Sequence, residues 1–351
     1  MNRIAGRATS MNGGMPKPTI KDVALEAGVS LGTASRVINR FSDVNVEMRL
    51  RVERAIRKLG YTPDAVAQSM RSRSTRTIGI LIRDFSSPAF VSFATVVQSL
   101  LYREGYVPLL AGYADEPRRE LEILSAFAQR RIDGLIVTTS SDSDARLADT
   151  RRKLAVPTIL FDRDPDGEQD TIAVDHRSGI QQVMTYLLKL GHRRVALLTG
   201  AHHVRPARER IEAFIKAHHD AGLVLDPMLL RTGSFTAEFA EQQSVDLLAL
   251  PNRPTAIIAG GVNMLPGVLL AIRAAGLSIP KDISVVSSTN PELCELFMPT
   301  VTELRVDYGA MGVEASQLML GRVQGTIKGP PRILRFDTTL IERESCAPPH
   351  V

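Results

Sequence analysis

The sequence predicts a multi-domain protein. An all-α helix-turn-helix head and a hinge helix precede an α/β body of two doubly wound parallel-sheet lobes. Three observations carry that expectation. Charge divides unevenly: residues 1–76 hold 14 Lys/Arg against 6 Asp/Glu, a net of +8, while the remainder holds 29 against 32, a net of −3. Helix starts and stops crowd residues 19–60. After Thr77, apolar runs of strand length alternate with amphipathic stretches.

The 351 residues suit two or three domains at ~100–200 residues each. An apolar content of 44% with 23% charged residues is the balance of a soluble globular chain. No run approaches the ~18 uncharged apolar residues of a membrane span, and the N-terminal segment lacks a long apolar stretch. Two cysteines, Cys294 and Cys346, cannot build a disulfide framework and fit a reducing compartment. A cytoplasmic protein is expected.

Residues 1–16 mix Gly, Asn, Ser and Met without periodicity and read as a disordered arm. The head spans 17–62. Thr19 starts a first helix with Asp22 as capping-box partner, Val23 and Ala24 face inward, and Gly28 ends it. Ser30 caps a second helix through Ile38, with Ala34, Val37 and Ile38 inward. Asn45 caps a third, where Val52, Ala55, Ile56 and Leu59 recur at helical spacing before Gly60. A small basic module on a slightly acidic body points to a polyanion partner, the alternative being a merely solvated surface.

Residues 63–76 form a linker. Thr62 as N-cap and Pro63 at the first helical position start a hinge helix of about two turns. Helices that short are marginal alone, so it should form only when something holds it. The alternative is a passive spacer.

The body runs from 77 to 343, with 344–351 as a tail. Strands are expected at Ile78–Ile82, Val107–Leu110, Gly134–Val137 and Thr158–Phe161, then at Arg194–Leu198, Thr255–Ile258 and Ile283–Val286. Near-continuous apolar strands separated by helices mark parallel sheets covered on both faces. Ligands of such sheets lie beyond the carboxyl ends of the strands, here between the lobes.

Chemistry-bearing motifs are few. No Gly-rich nucleotide loop follows any strand, and no H-E-x-x-H, C-x-x-C or G-x-S-x-G pattern appears. His202-His203 and His218-His219 are adjacent pairs whose side chains diverge on a helix, so they read as surface histidines. No catalytic residue, metal or cofactor is expected.

The segment Thr19-Ile-Lys-Asp-Val-Ala-Leu-Glu-Ala-Gly-Val-Ser30, followed by Thr33-Ala-Ser-Arg-Val-Ile-Asn39, resembles the DNA-binding head of the lactose-repressor (LacI/GalR) family of bacterial transcription regulators. The likeness continues through Gly60-Tyr-Thr-Pro63 and Val66-Ala67. It resumes at Pro88-Ala-Phe90, Arg131-Ile-Asp-Gly134, Phe161-Asp-Arg163, Leu190-Gly-His-Arg-Arg194, Arg208-Glu-Arg210 and Ile279-Pro-Lys-Asp-Ile-Ser284. The head motif is long and ungapped; each body fragment alone is weak.

The resemblance implies a homodimer on pseudo-palindromic double-stranded operator DNA, each head laying its second helix in the major groove. Leu31 and Gly32 fall at the specificity-reading positions. Glycine has no side chain, so reading there falls to Leu31, for instance on a thymine methyl. Arg36 matches a base-reading arginine whose fork suits guanine. Thr19, Ser30, Thr33, Ser35 and Asn39 suit phosphate contacts, and Lys21 joins them if it faces the backbone. Met70 stands where the family wedges a leucine into the minor groove, with Val66, Ala67 and Ser69 packing the paired hinge helices or facing the groove.

The resemblance also implies a periplasmic-binding-protein-like body with a small-molecule effector between its lobes. Phe90, Asp162, Arg163, Arg210 and Phe235 fall at pocket positions, with His202 and Arg205 on one nearby loop. Val262 and Thr289 stand where the family commonly has acids. The arginines should then leave the cleft net positive and favour a carboxylate or phosphate, such as a sugar acid. A neutral sugar or nucleoside, or a degenerate pocket without effector, stand as alternatives. The reading is an effector-controlled repressor; its rivals are a solute-binding protein and a sugar-converting enzyme. The prolines near the C-terminus, without leucine heptads, favour a dimer over a tetramer.

Overall fold

The computed structural model describes residues 18–38, 44–62, 74–83, 85–167, 169–288 and 290–350. Two compact units divide between residues 75 and 76.

The first unit is built from α1 (Ile20–Ala27), α2 (Leu31–Ile38) and α3 (Val46–Leu59). The backbone N–H and hydroxyl of Thr19 donate to the Asp22 carboxylate at 2.7 and 2.8 Å, which fixes the start of α1. Gly28 ends it in the left-handed region (φ 62). The turn is locked from α3: Arg51 Nε and Nη2 donate to the Ala27 carbonyl at 2.9 and 2.6 Å, and Nη2 donates to Gly28 O at 2.6 Å. A Cβ on residue 28 would lie 2.7 Å from that Nη2, so glycine serves both the dihedral and the close approach. Asn45 Oδ1 accepts from Glu47 N at 2.8 Å and starts α3. Val23, Ala27, Val37, Val52 and Ala55 form the small core. Helices, caps and inward residues match the sequence expectation.

The second unit holds two six-stranded sheets. The first lobe starts with β1 (Thr77–Ile82), α4 (Pro88–Arg103), β2 (Val107–Gly112), α5 (Pro117–Gln129), β3 (Gly134–Val137), α6 (Ala145–Lys153), β4 (Thr158–Phe161) and β5 (Asp170–Val174). The second takes α7 (His176–Lys189), β6 (Val195–Gly200), α8 (Arg205–Asp220), β7 (Leu230–Gly233), α9 (Ala237–Leu248), β8 (Ala256–Ala259), α10 (Leu265–Ala274), β9 (Ser284–Ser288), α11 (Pro291–Leu296) and β10 (Thr302–Arg305). The chain then returns: α12 (Tyr308–Val323) packs on α4 and β11 (Ile333–Phe336) pairs with β5, before β12 (Thr339–Ile341) joins the second sheet. The sheet orders are β11-β5-β4-β3-β1-β2 and β12-β10-β9-β8-β6-β7.

All seven strands expected from the sequence are present. Five more were not foreseen: β5, β7, β10, β11 and β12. The sheets are parallel except for β12, which runs antiparallel to β10. The expected tail is partly core: Ser345 is fully buried, donating to Val285 O at 2.6 Å and accepting from Thr302 N at 2.8 Å. His218, expected on the surface, is buried edge-on against Phe214 and hydrogen-bonded to its carbonyl. Among the described residues, no helix is long and apolar enough to cross a membrane. The expected arm at 1–16 and the hinge helix with Val66, Ala67, Ser69 and Met70 lie outside the described residues, as do Asn39 and Thr289.

Candidate functional site

Two surfaces carry the sequence-derived site residues. On the first unit, the inward residues Ala34 and Val37 of α2 leave Leu31, Gly32 and Arg36 exposed. Lys21, Thr19 and Ser30 are exposed as well, while Thr33 and Ser35 are half-buried. Hydroxyls expected to meet phosphate hold helix starts in the free chain. Ser30 Oγ accepts from Thr33 N at 3.1 Å and pairs with the Thr33 hydroxyl at 2.9 Å, and Thr19 bonds Asp22. The basic surplus is not all outward: Arg51 closes the α1–α2 turn and Lys58 pairs with Glu26 at 2.7 Å.

The second surface is a cavity of about 530 Å³ between the lobes. Its wall comes from residues just past strand ends, as the doubly wound fold dictates. Arg83 follows β1, Ser140 and Ser141 follow β3, and Asp162 and Arg163 follow β4. From the other lobe, Ala201 and His203 follow β6, Ser234 and Phe235 follow β7, and Gly261 and Val262 follow β8. Phe90 on the first turn of α4, Arg210 on α8 and Tyr308 on α12 line it too, together with Ser87, Asp115 and Asp144.

Phe235 is held by close backbone approach. A Cβ at Gly200 or Gly261 would lie 2.2 or 2.6 Å from its ring. Phe90 leans edge-on to Phe161 at 5.9 Å, and Phe161 packs on Phe93 at 4.1 Å. Phe90 and Phe235, one from each lobe, therefore line the cavity beside Tyr308, and both are fixed from behind.

Asp162 anchors the polar side. Its Oδ1 accepts from Val174 N at 3.2 Å and Arg205 Nη1 at 3.0 Å, while Oδ2 lies 2.8 Å from His176 Nε2. Burial alone would raise this carboxyl, but His176, Arg205 and Arg163 outweigh it and hold it well below the usual carboxylate range. Burial and the neighbouring Arg210 push the His176 imidazole down to about 4, so it is neutral at neutral pH.

Of the expected pocket residues, Phe90, Asp162, Arg163, Arg210, Phe235 and Val262 line the cavity. His202 does not; its neighbour His203 does. Arg205 does not line it either, and is buried behind the wall as a link between lobes. It donates from its backbone N–H to Asp142 at 2.5 Å and from its guanidinium to Asp162 and Val174 O, and pairs with Glu209 at 3.0 Å. The expected net positive cleft is corrected as well. Arg83, Arg163 and Arg210 face Asp115, Asp144 and Asp162, a formal balance. Sequence reasoning missed Arg83, Ser87, Ser140, His203 and Tyr308. The rule that sites follow strand ends would have found Arg83 and Ser140; nothing in the sequence places Tyr308 there.

A model of bacterial regulatory proteins of the lacI family matches residues 19–64, and one for a periplasmic binding protein-like domain matches 184–346. The HTH-type transcriptional repressor PurR of Erwinia tasmaniensis is 33% identical over 331 residues, covering 94% of this chain and 97% of the relative. That of Glaesserella parasuis is 32% identical, covering 93% and 98%. Among solved structures, a lac repressor dimer bound to operator and the anti-inducer ONPF superposes with a TM-score of 0.81 at 26% identity, covering 95% of this chain and all of that one. A complex of the regulator CelR with cellobiose gives 0.70 at 27%, covering 93% and 99%.

Proposed function

Because the chain belongs to the lacI family of bacterial regulatory proteins, we propose that it is a sequence-specific DNA-binding repressor, controlled by a small metabolite held between its lobes. One observation carries this reading. A basic helix-turn-helix unit exposing Leu31 and Arg36 is joined in one chain to a two-lobed unit with a built cavity at its strand ends. The relatives aligned along nearly the whole chain are repressors, and the lac repressor neighbour binds operator as a dimer. In this reading the chain acts in the cytoplasm as a homodimer, and no catalytic step is part of it.

Leu31 and Arg36 read base edges in the major groove, while Thr19, Lys21, Ser30, Thr33, Ser35 and Asn39 position the head on phosphates. By resemblance to the family, Met70 is assigned to the minor groove, and Val66, Ala67 and Ser69 to packing the paired hinge helices or facing the groove. Effector binding changes the angle between the lobes, and that change biases DNA affinity. A ligand that disfavours the DNA-bound arrangement is an inducer; one that favours it is a corepressor.

The test is a gel shift of the full chain on DNA upstream of its own coding region, with Arg36→Ala beside the parent. The variant should lose roughly 1–3 kcal/mol per half-site on specific DNA and little on random DNA. Equal losses on both would show that Arg36 reads no base.

A further inference from the structure

The cavity wall holds a buried cation that, among the described residues, no carboxylate touches; Asp162 and Glu209 act on it only from beyond contact distance. Arg210 is 6% exposed, and its Nη1 donates only to the Pro206 carbonyl at 3.1 Å. Its guanidinium carbon lies 5.8 Å over the Phe235 ring, and its Nε is buried with no hydrogen-bond partner. No carboxylate among the described residues lies within 4 Å of it.

The three aspartates on the same wall are already engaged. Asp162 is held by Arg205, His176 and Val174 N. Asp144 caps α6 through Arg146 N and pairs with the Arg146 side chain at 2.8 Å. Asp115 lies 3.5 Å from Arg83. The formal charge of the wall is balanced, but the bonding is not: the acids are used and Arg210 is not.

Two further groups point the same way. Ser87, the residue before α4, is 1% exposed and lines the cavity, and its hydroxyl has no partner among the described residues. It sits at the start of a 16-residue helix whose first amides lack intrahelical acceptors and whose dipole end is positive. The Ser140 hydroxyl, past the end of β3, is likewise buried with no partner among the described residues. Unmet donors converge on a space flanked by Phe90 and Phe235.

We propose that the effector is a compact organic acid anion, a carboxylate or phosphate on a sugar-sized body, and that Arg210 binds its charge. This rests on the reading of the cavity as the effector site. A neutral ligand would leave a desolvated guanidinium with only neutral acceptors, whereas an anion supplies paired acceptors and the missing charge. Val262, on the wall where β8 ends, adds no competing acid.

The experiment is calorimetric titration of the full chain with matched probes. D-gluconate, D-glucuronate and glucose 6-phosphate are set against D-glucose, and ribose 5-phosphate against ribose. At least one acid should bind roughly tenfold or more tightly than its neutral partner, a charged hydrogen bond being worth at least that. The carboxylate and phosphate arms separate the two sources of charge. Val262→Asp, which places an acid on the wall, should weaken that acid by a similar factor, and Arg210→Lys should retain more affinity than Arg210→Gln. Thermal unfolding of each variant checks that it folds. The inference is overturned if a neutral probe matches its acid, if no acid binds at 10 mM by order of magnitude, or if Val262→Asp leaves acid affinity unchanged. The same samples are tested for operator binding. An acid that binds a chain unable to select DNA sinks the regulator reading alone; sequence-selective DNA binding with only neutral ligands sinks this inference alone.

Discussion

At Asp162 a single carboxylate is met from both lobes: by Val174 N and His176 at the crossing from β5 to α7, and by Arg205 at the start of α8. His176 is the part of this junction that titrates within reach. Arg210, Asp162 and Arg205 face it, and burial with these neighbours holds its imidazole at about 4. The unfolded chain, with an ordinary histidine near 6.5, binds a proton that the folded chain refuses. Stability should therefore be complete above pH 6.5 and fall between about 6.5 and 4, by up to about 3 kcal/mol from this residue. Urea unfolding of the parent and His176→Gln at both ends of that window checks it, and equal losses in both would refute it. Resemblance to the family put six pocket residues on the cavity wall, of which Asp162, Arg163, Phe235 and Val262 follow strands while Phe90 and Arg210 lie on helices. It misplaced His202 and Arg205 because neighbouring loop positions point in different directions. Only packing decides which of His202 and His203 turns inward, and Arg205 is long enough to reach Asp162 from behind.

Among the elements, the α1–α2 turn depends most on one distant side chain. Arg51 makes three hydrogen bonds to the last carbonyls of α1 and its cap. Arg51→Ala should destabilise the head by roughly 1–3 kcal/mol and lower DNA affinity on all sequences alike, unlike Arg36→Ala. Differential scanning calorimetry should show a head transition shifted down and the transition of the two-lobed unit unmoved; an unshifted head would remove Arg51 from its assigned role. The three head helices were legible because Thr19, Gly28, Ser30, Asn45 and Gly60 are strong local signals. The missed strands lack such signals for a physical reason. β7, β11 and β12 are partly exposed sheet edges and keep polar residues such as Arg231 and Arg335, whereas β5 and β10 are buried and their apolar runs are broken by acids held in ion pairs, Asp170 with Arg322 and Glu303 with Arg305 and Arg343. Central strands are covered on both faces and read as unbroken apolar runs.

For the two-lobed unit as a whole, the chain crosses between lobes after β5, after β10 and after β11, so neither lobe is a contiguous piece of sequence. No periodicity announces that return. The second lobe also carries an apolar face that the monomer leaves uncovered. A groove lined by Leu269, Ile279 and Phe297 is flanked by Leu270, Leu296 and Met298, the last two 80% and 74% exposed. Large apolar side chains clustered this way mark an interface, and under the homodimer proposed above its occupant is a second copy of this chain. Met298→Asp would place a charge on this apolar face, so sedimentation at micromolar concentration should change from dimer to monomer. Operator binding should fall far more than the loss of one contact explains. Two linked heads reach half-sites about 34–36 Å apart at a high effective concentration, and that advantage disappears in a monomer. Effector affinity should hardly change, since the cavity is built from one chain. If Met298→Asp leaves a dimer with parental operator affinity, the second copy binds a different face, and the apolar groove needs another occupant.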